Sequence, residues 1–352
     1  MVTPSFWKGR KVFLTGHTGF KGSWLTLWLR ELGAEITGYS LDPVTTPALF
    51  TLAQAAGDCT DVRGDICAPL LHESLANSGA EIVLHLAAQP LVRESYRDPR
   101  ETWRVNVMGT LNLLEACRAT ESVKTIVVIT TDKVYENPES GVPFREEDSL
   151  GGYDPYSSSK AACEILCASW RRSFLETSGK LAVGLATARA GNVVGGGDFA
   201  ADRLIPDLVR ARQAGVNARL RYPAAVRPWQ HVIEPLAGYL QLAEKLHNDP
   251  QTFSTAFNFG PDKTDFRPVG DVADGVCATL GSKWDREDVP QPHEAGLLTL
   301  DSSRAENLLK WVPRLAFPDT LKWTSEWYSR WLNREDPRAL TLEHIRKYSS
   351  DF

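Results

Sequence analysis

Short runs of apolar residues, each bounded by polar or turn-forming residues, recur through the first half of the chain. They occupy residues 11–15, 35–40, 81–87, 124–130 and 181–189. Their β-branched content and nearly continuous apolar character are typical of strands that are buried on both faces of a parallel sheet. The pattern therefore predicts a series of buried parallel strands before residue 190.

Between these runs the apolar residues follow a helical period. Within residues 25–32, apolar side chains stand at positions i, i+3, i+4 and i+7, and residues 106–119 and 156–174 show the same pattern. Strands that alternate with helices predict an α/β fold of the Rossmann type, in which helices cover both faces of a doubly wound parallel sheet.

The pattern loosens after about residue 195, where Gly, Pro and Arg become frequent. We therefore expect a dinucleotide-binding domain over residues 1–190. Residues 191–352 are expected to form a smaller, mainly substrate-binding region, with some chain returning to the first domain. Residues 317–333 predict a helix with an aromatic face.

Composition narrows the class of protein. The chain has 352 residues, of which 43% are apolar or aromatic, enough for a sizeable core, and its net charge of −5 argues against general binding of nucleic acid. The six cysteines form no C-x-x-C motif and the histidines show no ligand spacing, so we expect reduced buried thiols and no metal site. Without a signal peptide or an apolar run long enough for a membrane span, a cytoplasmic protein is expected.

Three glycines follow the first predicted strand and open the first predicted helix. Gly16, Gly19 and Gly22 allow a tight turn and a close approach of the backbone to a pyrophosphate, which the free N–H groups of the helix N-terminus also attract. The segment Lys21-Gly22-Ser23 differs from the Gly-Lys-Ser/Thr order of an ATPase phosphate loop. The glycines therefore predict a dinucleotide site.

Carboxylates after the next two strands are candidates for the adenosine end of that site. An acidic residue is expected about 20 residues after the loop, at the ribose. Asp42 is the nearest, but it lies beyond the predicted strand end at Ser40, which leaves open which of the two takes that place. Asp65 and Ile66, in the segment RGDI (63–66), follow a further likely strand between the runs 35–40 and 81–87, and the aspartate there either meets the adenine amino group or is an ordinary loop residue.

Tyr156 and Lys160 are spaced so that their side chains lie one turn apart on a helix. A free phenol has a pKa of about 10 and is a poor base at neutral pH. A nearby ammonium favours the phenolate, so we expect Lys160 to lower the pKa of Tyr156. The pair is a candidate device for proton transfer.

Taken together, the glycine triplet and the segments HLAAQ (85–89), NVMGT (106–110), TTDKVY (130–135) and YSSSK (156–160) resemble the extended short-chain dehydrogenase/reductase family. The resemblance implies bound NAD, Tyr156 as the acid/base at a sugar hydroxyl, Lys160 at the nicotinamide ribose, and Thr131 at the same substrate oxygen. The full set of implied cofactor-binding residues is Gly16, Gly19, Phe20, Gly22, Asp42, Asp65, Ile66, Leu86, Ala87, Ala88, Gln89, Asn106, Thr130, Tyr156 and Lys160.

Residues 16–25, 130–135, 188–207 and 227–235 narrow the resemblance to the nucleotide-sugar 4,6-dehydratases of that family, with a CDP-hexose as the implied substrate. The implied reaction is an internal redox cycle: oxidation at C4, loss of water across C5 and C6, and return of the hydride to C6, with NAD tightly bound and regenerated. Asp132 and Lys133 are implied for water loss, and whether Lys133 is a neutral base or a charged stabiliser stays open. The implied substrate-binding residues are Gln89, Thr131, Asn192, Arg203, Leu204, Ile205, Arg227 and His231.

Two alternatives remain at this stage. A 4-epimerase, or a 4,6-dehydratase of another nucleotide sugar, would use the same tyrosine and lysine, although an epimerase has no need of Asp132 and Lys133. A non-catalytic NAD-binding sensor would keep the glycines without needing Tyr156 or Lys160. Apolar faces on the helices predicted at 106–119 and 156–174 fit either a homo-oligomer, as a dimer or a dimer of dimers, or core packing within the subunit. Deoxysugar synthesis for lipopolysaccharide O-antigen is the implied pathway.

Overall fold

A computed structural model describes residues 1–138, 141–177, 180–287 and 298–350. Its centre is a sheet of seven strands: β1 Lys11–Thr15, β2 Glu35–Ser40, β3 Thr60–Arg63, β4 Ile82–His85, β5 Thr125–Ile129, β6 Gly184–Ala190 and β7 Ala256–Phe259. The spatial order is β7-β6-β5-β4-β1-β2-β3, and every neighbouring pair is parallel. The predicted Rossmann-type α/β fold is confirmed.

Helices cover both faces of this sheet and build the region beyond its carboxyl edge. They are α1 Pro4–Trp7, α2 Phe20–Glu31, α3 Leu49–Leu52, α4 Leu70–Ser78, α5 Val92–Arg97, α6 Pro99–Trp103, α7 Gly109–Arg118, α8 Pro155–Trp170, α9 Leu204–Ala214, α10 Ile233–Asn248, α11 Pro250–Phe253, α12 Val269–Leu280, α13 Phe317–Leu332 and α14 Pro337–Ser350. Among the described residues, no helix is long and apolar enough to cross a membrane.

Shorter elements connect these units. Turns of 3₁₀ helix lie at Ala55–Asp58, Asp132–Val134 and Lys263–Asp265, and π-helical turns lie at Arg104–Met108, Arg171–Leu175 and Ala305–Leu309. Two-stranded pairs join Glu176–Thr177 with Lys180–Leu181, Val193–Val194 with Gln230–His231, Ala218–Leu220 with Trp284–Arg286, and Val226–Pro228 with Phe266–Pro268.

Strand β1 shows why the strands are apolar without alternation. Val12 and Leu14 pack in a core that includes side chains of α2 and α10, whereas Phe13 packs on the opposite face with side chains of α4 and α7. Both faces of the strand are therefore buried, as in a parallel sheet that carries helices on each side.

The helical predictions at 106–119 and 156–174 are each divided in two. The first begins with the π-helical turn Arg104–Met108 and continues as α7, and the second is α8 followed by the π-helical turn Arg171–Leu175. The predicted C-terminal aromatic helix is α13, where Trp323, Trp327 and Tyr328 are buried. Residues after 190 also return to the sheet, since β7 pairs with β6.

Candidate active site

A cavity of about 570 Å³ opens at the carboxyl edge of the sheet, where the chain order reverses between β1 and β4. Its volume falls within the range of about 300–1,000 Å³ that small-molecule sites occupy. Residues from the ends of β1, β2, β4, β5 and β6 form one wall, and residues from 191 to 229, together with Val269, form the other. A ligand in the cavity would therefore lie between the Rossmann sheet and the C-terminal region.

The glycine loop forms the floor of the cavity beside β1. Gly16 has a φ of +75°, and a Cβ there would lie 2.7 Å from the backbone nitrogen of Ala87. A Cβ on Gly22 would lie 2.1 Å from the carbonyl oxygen of Gly16. These positions need glycine because the loop packs backbone against backbone, and the first turn of α2, which begins at Phe20, consequently faces the cavity.

At the adenosine end predicted from the sequence, Ser40 and Asp42 both line the cavity. The hydroxyl of Ser40 hydrogen-bonds that of Thr18 at 2.9 Å, whereas the carboxylate of Asp42 is 89% exposed and lies 3.4 Å from a nitrogen of Arg63. Ser40 thus occupies the strand end and Asp42 the rim.

Asp65 and Ile66 lie further along the same wall. The carboxylate of Asp65 accepts hydrogen bonds from the backbone nitrogen of Cys67 at 2.8 Å and from Arg104 at 2.8 Å. Both of its oxygens therefore have partners within the chain.

The end of β4 supplies the next part of the wall, but two of its predicted residues point elsewhere. Leu86, Ala87 and Ala88 line the cavity, while Gln89 and Asn106 do not. The Gln89 side chain folds back onto Leu91 and Thr102. Its Nε2 donates to the Leu91 carbonyl and to the Thr102 hydroxyl, and its Oε1 accepts from the Leu91 nitrogen.

Asn106 lies behind this wall and connects the loop after β4 with α8. It is 1% exposed, its Oδ1 accepts from the Gln89 nitrogen at 2.8 Å, and its Nδ2 donates to Ser159 Oγ at 2.9 Å. Gln89 and Asn106 thus lie outside the cavity lining, and their contact with cofactor or substrate stays a prediction. Their amides are used up in fixing the loop after β4 to α8, because a buried amide needs partners for both of its ends.

The Tyr156–Lys160 pair lies on the first turns of α8. Asp154 caps this helix, accepting from the Ser157 nitrogen at 2.9 Å and from the Ser157 hydroxyl at 2.6 Å, and Pro155 occupies the first helical position. Both Tyr156 and Lys160 line the cavity, and the ammonium of Lys160 donates to the Ile129 carbonyl at 3.1 Å.

Thr130 to Lys133 form the end of β5 and the turn that follows it, and all four residues line the cavity. The hydroxyl of Thr131 donates to Asp132 Oδ1 at 3.0 Å. Asp132 is 2% exposed, and a Cβ on Gly191 would lie 2.6 Å from its Oδ2. The loop after β6 therefore needs a glycine at position 191 to leave room for the carboxylate.

Burial sets the ionisation of these groups. It raises the pKa of Tyr156 to about 12, although the hydrogen bond with Thr131 lowers it. The pKa of Tyr156 is thus raised and not lowered as expected from the sequence, and burial also lowers the pKa of the Lys160 ammonium. Burial raises the pKa of Asp132 against the opposing influence of Lys133, Thr131, Arg227 and Lys21, which favours a protonated acid at this position.

On the C-terminal side, five of the residues predicted to bind substrate line the cavity: Asn192, Arg203, Leu204, Ile205 and Arg227. A guanidinium nitrogen of Arg203 lies 2.9 Å from Asp198.

His231 lies outside the cavity lining, and its role in substrate binding stays a prediction. It is fully buried, its ring packs between Trp24 and Trp323, and its Nδ1 accepts from the Ile233 nitrogen at 3.3 Å. Because it stands in the short strand Gln230–His231 that pairs with Val193–Val194, its side chain faces the core formed with α13 and α14.

Lys21 is a cavity residue that the sequence analysis did not single out. Its ammonium donates to the hydroxyl of the buried Tyr239 at 3.3 Å. Burial, with Arg203 and Lys160 nearby, lowers the pKa of Lys21 to about 7, while Asp132 raises it. The position of Lys21 between the glycines of a dinucleotide loop was the signal that could have identified it as a cavity residue. In the sequence analysis it was used only to exclude an ATPase phosphate loop.

Arginines on both sides of the cavity were missed as well. Arg93, Arg219 and Arg221 line it, and Asp202 lies 3.2 Å from Arg93 and 3.4 Å from Arg221. Single arginines in irregular segments carry no periodic signal. Among the described residues, no group of three or more His, Cys, Asp or Glu side chains is arranged to hold a metal ion.

A dinucleotide loop, a Tyr–Lys pair and a polar strand end around one cavity define an oxidoreductase-type site on a Rossmann fold. The sequence profile of the NAD dependent epimerase/dehydratase family matches residues 12–260, and the chain belongs to this family. It is 43% identical to the CDP-glucose 4,6-dehydratase of Salmonella typhimurium, over 99% of each chain.

Solved structures share the fold. A UDP-glucose 4-epimerase of Thermotoga maritima superposes with a TM-score of 0.79 at 20% identity, covering 91% of this chain and 99% of that one. A dTDP-glucose 4,6-dehydratase of Bacillus anthracis in complex with NAD superposes with a TM-score of 0.75 at 22% identity, covering 92% and 97%.

Proposed function

We propose that the protein is a nucleotide-sugar 4,6-dehydratase that converts CDP-D-glucose to CDP-4-dehydro-6-deoxy-D-glucose and water. The observation that carries the proposal is the meeting of two proton-transfer groups in one cavity: Tyr156 beside Thr131 and Lys160, and a buried Asp132 whose pKa is raised. The full-length identity to the Salmonella enzyme supports CDP-glucose as the substrate.

The residues present fit an NAD cofactor. The backbone-packed glycine loop and the first turn of α2 offer N–H groups to its pyrophosphate, and the rim at Ser40 and Asp42 lies where its adenosine ribose is expected. Lys160 lines the cavity, which supports its proposed contact with the nicotinamide ribose. When bound, NAD accepts a hydride from the sugar, returns it later in the same cycle, and adds positive charge that favours the phenolate. We propose that it stays tightly bound and is regenerated.

In the first proton transfer, Tyr156 removes the proton of the sugar 4-hydroxyl. Its phenol is held by Thr131, and Lys160 supplies a fixed cation on the next helical turn. Burial keeps bulk water from the phenol, and the same burial opposes its ionisation, so the positive charge around Tyr156 determines whether it can act as a base.

In the second stage, Asp132 donates a proton to the leaving C6 hydroxyl. A carboxylic acid with a raised pKa is suited to this task, and burial raises the pKa of Asp132. Lys133 lies beside it at the cavity wall and either removes the C5 proton as a neutral amine or stabilises the enolate as a cation.

Arginines hold the diphosphate of the substrate. Arg227 and Arg203 line the C-terminal wall, and a guanidinium offers two parallel N–H donors to a phosphate. Asn192 and the segment Leu204–Ile205 complete the sugar-binding surface.

Product analysis tests the proposal. The purified protein would be incubated separately with CDP-, dTDP-, GDP- and UDP-glucose, and the products weighed by mass spectrometry. We expect loss of one water with CDP-glucose as the preferred substrate. A product of unchanged mass would indicate an epimerase. Faster turnover of a sugar linked to another nucleobase would identify that nucleotide sugar as the substrate, and no turnover with any of them would indicate a binding protein without catalytic activity.

We also propose that the protein is a homodimer that works in the cytoplasm, in deoxysugar synthesis such as that of lipopolysaccharide O-antigen. Helices α5, α6 and α8 and the turn Arg104–Met108 pack together and leave Trp103, Met108 and Ile165 exposed by 42%, 53% and 59%. Exposed apolar residues on adjoining helices favour contact with a second copy. Light scattering would show a dimer for the wild type and a shift toward monomer for Ile165→Glu.

A further inference from the structure

Glu164 is a carboxylate buried directly behind the candidate active site. It lies on α8, one helical turn after Lys160 and two after Tyr156, and its side chain is 2% exposed. Oε1 accepts from the hydroxyl of Thr130 at 2.5 Å. Oε2 accepts from the hydroxyl of Thr187 at 2.6 Å. The proposed reaction makes no use of this group, although a buried carboxylate is unfavourable unless charges and donors compensate it.

Arg189 supplies the compensating charge. Its guanidinium lies on β6 and donates to Glu164 Oε2 at 2.9 Å and to the hydroxyl of Tyr135 at 2.7 Å. Tyr135 in turn donates to Asn258 Oδ1 on β7 at 2.7 Å. The carboxylate is therefore ionised, which agrees with a pKa that stays below its ordinary value because Arg189 and the two threonines outweigh the effect of burial.

Lys160 and Glu164 together hold the end of β5. The ammonium of Lys160 donates to the carbonyl of Ile129 at 3.1 Å, and Glu164 accepts from the side chain of Thr130. Two side chains one helical turn apart thus bind two consecutive strand residues, and the next residue along the strand is Thr131. The distance between the phenol on α8 and the hydroxyl after β5 depends on these two contacts.

We propose that Glu164 is a positioning residue for the reaction: it fixes the end of β5 against α8 and stabilises the ammonium of Lys160. The inference rests on the proposed function, because it assumes that Tyr156, Thr131 and Lys160 carry out the first proton transfer. Glu164 does not line the cavity and acts through those residues.

The charges around Lys160 give the proposal a pH signature. Burial lowers the pKa of Lys160 and Glu164 raises it. The other titratable groups that face the Lys160–Glu164 pair are Cys163, Cys167 and Arg171 from α8 and the turn after it, His85 from β4, Lys21 from α2, and Arg189 from β6. If the charge of Glu164 is removed, burial is less opposed and Lys160 loses its proton at a lower pH.

The test compares pH profiles of kcat for Glu164→Gln and wild type. Glutamine keeps the size and removes the charge. We expect kcat to fall about 10- to 100-fold, the scale that small misplacements of reacting groups produce. The alkaline limb should move to lower pH, while KM for the nucleotide sugar stays unchanged because the residue lies outside the cavity. Glu164→Asp should restore the position of the alkaline limb, since it restores the charge, but not the full kcat.

Thr187→Val is the matched control. It removes one hydrogen bond from the same carboxylate and leaves its charge and its contact with Thr130, so its pH profile should equal that of wild type. An alkaline limb that does not move in Glu164→Gln, or that moves equally in Thr187→Val, would overturn the proposal.

Glu164→Gln leaves Arg189 without its anion and can fail to fold for that reason. The double variant Glu164→Gln/Arg189→Met removes both charges and should show the same shift of the alkaline limb; a wild-type limb in the folded double variant would also overturn the proposal. Each variant is compared with the turnover that the wild type shows, whether or not that turnover includes the loss of water. A wild type that turns over without losing water would therefore contradict the dehydratase function alone.

Discussion

The hydroxyl of Thr131 donates a hydrogen bond to Asp132 at 3.0 Å and is close enough to the phenol of Tyr156 to influence its pKa. One hydroxyl therefore connects the group proposed for the first proton transfer with the group proposed for water loss. The Thr131 hydroxyl lowers the pKa of Asp132 and, when its proton turns to the phenol instead, that of Tyr156, in both cases against the effect of burial. We propose that the two stages of the reaction are carried out by these neighbouring groups.

Removal of the phenolic hydroxyl tests the first stage. Tyr156→Phe should lower kcat by about 10²–10⁴-fold, the usual contribution of general acid–base catalysis, and should still bind NAD and CDP-glucose. Binding would be measured by calorimetry and turnover by product mass. A variant that turns over at nearly the wild-type rate would place the base elsewhere.

Variants of the strand end test the second stage. Asp132→Asn and Lys133→Met should still oxidise C4, because Tyr156 and Thr131 remain, but should accumulate enzyme-bound NADH and a 4-keto sugar without water loss. Single-turnover absorbance of the nicotinamide and the mass of the quenched sugar measure both events.

Two results would contradict that division of labour: dehydration at the wild-type rate in both variants, or a failure of both to form NADH. Exchange of the C5 proton with deuterated solvent then separates the two roles of Lys133. Loss of exchange in a Lys133→Met variant that still oxidises C4 favours the base, and normal exchange with blocked water loss favours the charged stabiliser.

Lys21 lies in the glycine loop and interacts electrostatically with the proposed acid, Asp132. Where Lys21 is protonated, its charge lowers the pKa of Asp132, so Lys21→Met should leave Asp132 protonated to a higher pH. We expect the alkaline limb of the water-loss step, followed in single turnovers, to move to higher pH. Tyr239→Phe is the control, since it removes the hydrogen-bond partner at 3.3 Å and keeps the charge of Lys21. An unchanged limb in Lys21→Met would exclude this coupling.

Buried histidines make stability depend on pH. His344 is 6% exposed among Trp24, Trp323 and His231, and burial lowers its pKa to about 4. Because the unfolded chain binds this proton near pH 6.5 and the folded chain does not, stability should fall as the pH drops from about 6.5 toward 4, by up to about 1.4 kcal/mol per pH unit for this residue.

Urea unfolding of wild type and His344→Phe at pH 7 and pH 5 measures that contribution. The variant should lose less stability between the two pH values, because it lacks one group that only the unfolded chain protonates. Equal losses would mean that His344 is not neutral in the folded protein.

Periodicity predicted the sheet because strands such as β1 are buried on both faces and their sequences show it directly. Residues fixed by local spacing were also placed well: the glycine loop, the Tyr156–Lys160 pair and the strand end at Thr131 all reach the cavity. The positions of the predicted site residues that lie outside the cavity lining are determined by long-range packing. His231 sits next to cavity-lining segments in sequence, but its side chain faces the core, and Asn106 is used to hold a loop.

Ionisation was the least predictable feature. The spacing of Tyr156 and Lys160 predicted a lowered phenol pKa, yet burial dominates and raises it to about 12. The extent of burial depends on chain segments that meet only in three dimensions, including the C-terminal wall of the cavity, so no local motif carries that information.

The internal redox cycle is the central claim, and CDP-glucose labelled with deuterium at C4 tests it most directly. The label should leave C4 and return within the same cycle, so we predict a product that has lost one water and carries deuterium in its C6 methyl group, with no net formation of NADH. Mass spectrometry and NMR of the product measure both. Deuterium that accumulates in free NADH, or a product that keeps all its oxygen with the label still at C4, would contradict the account.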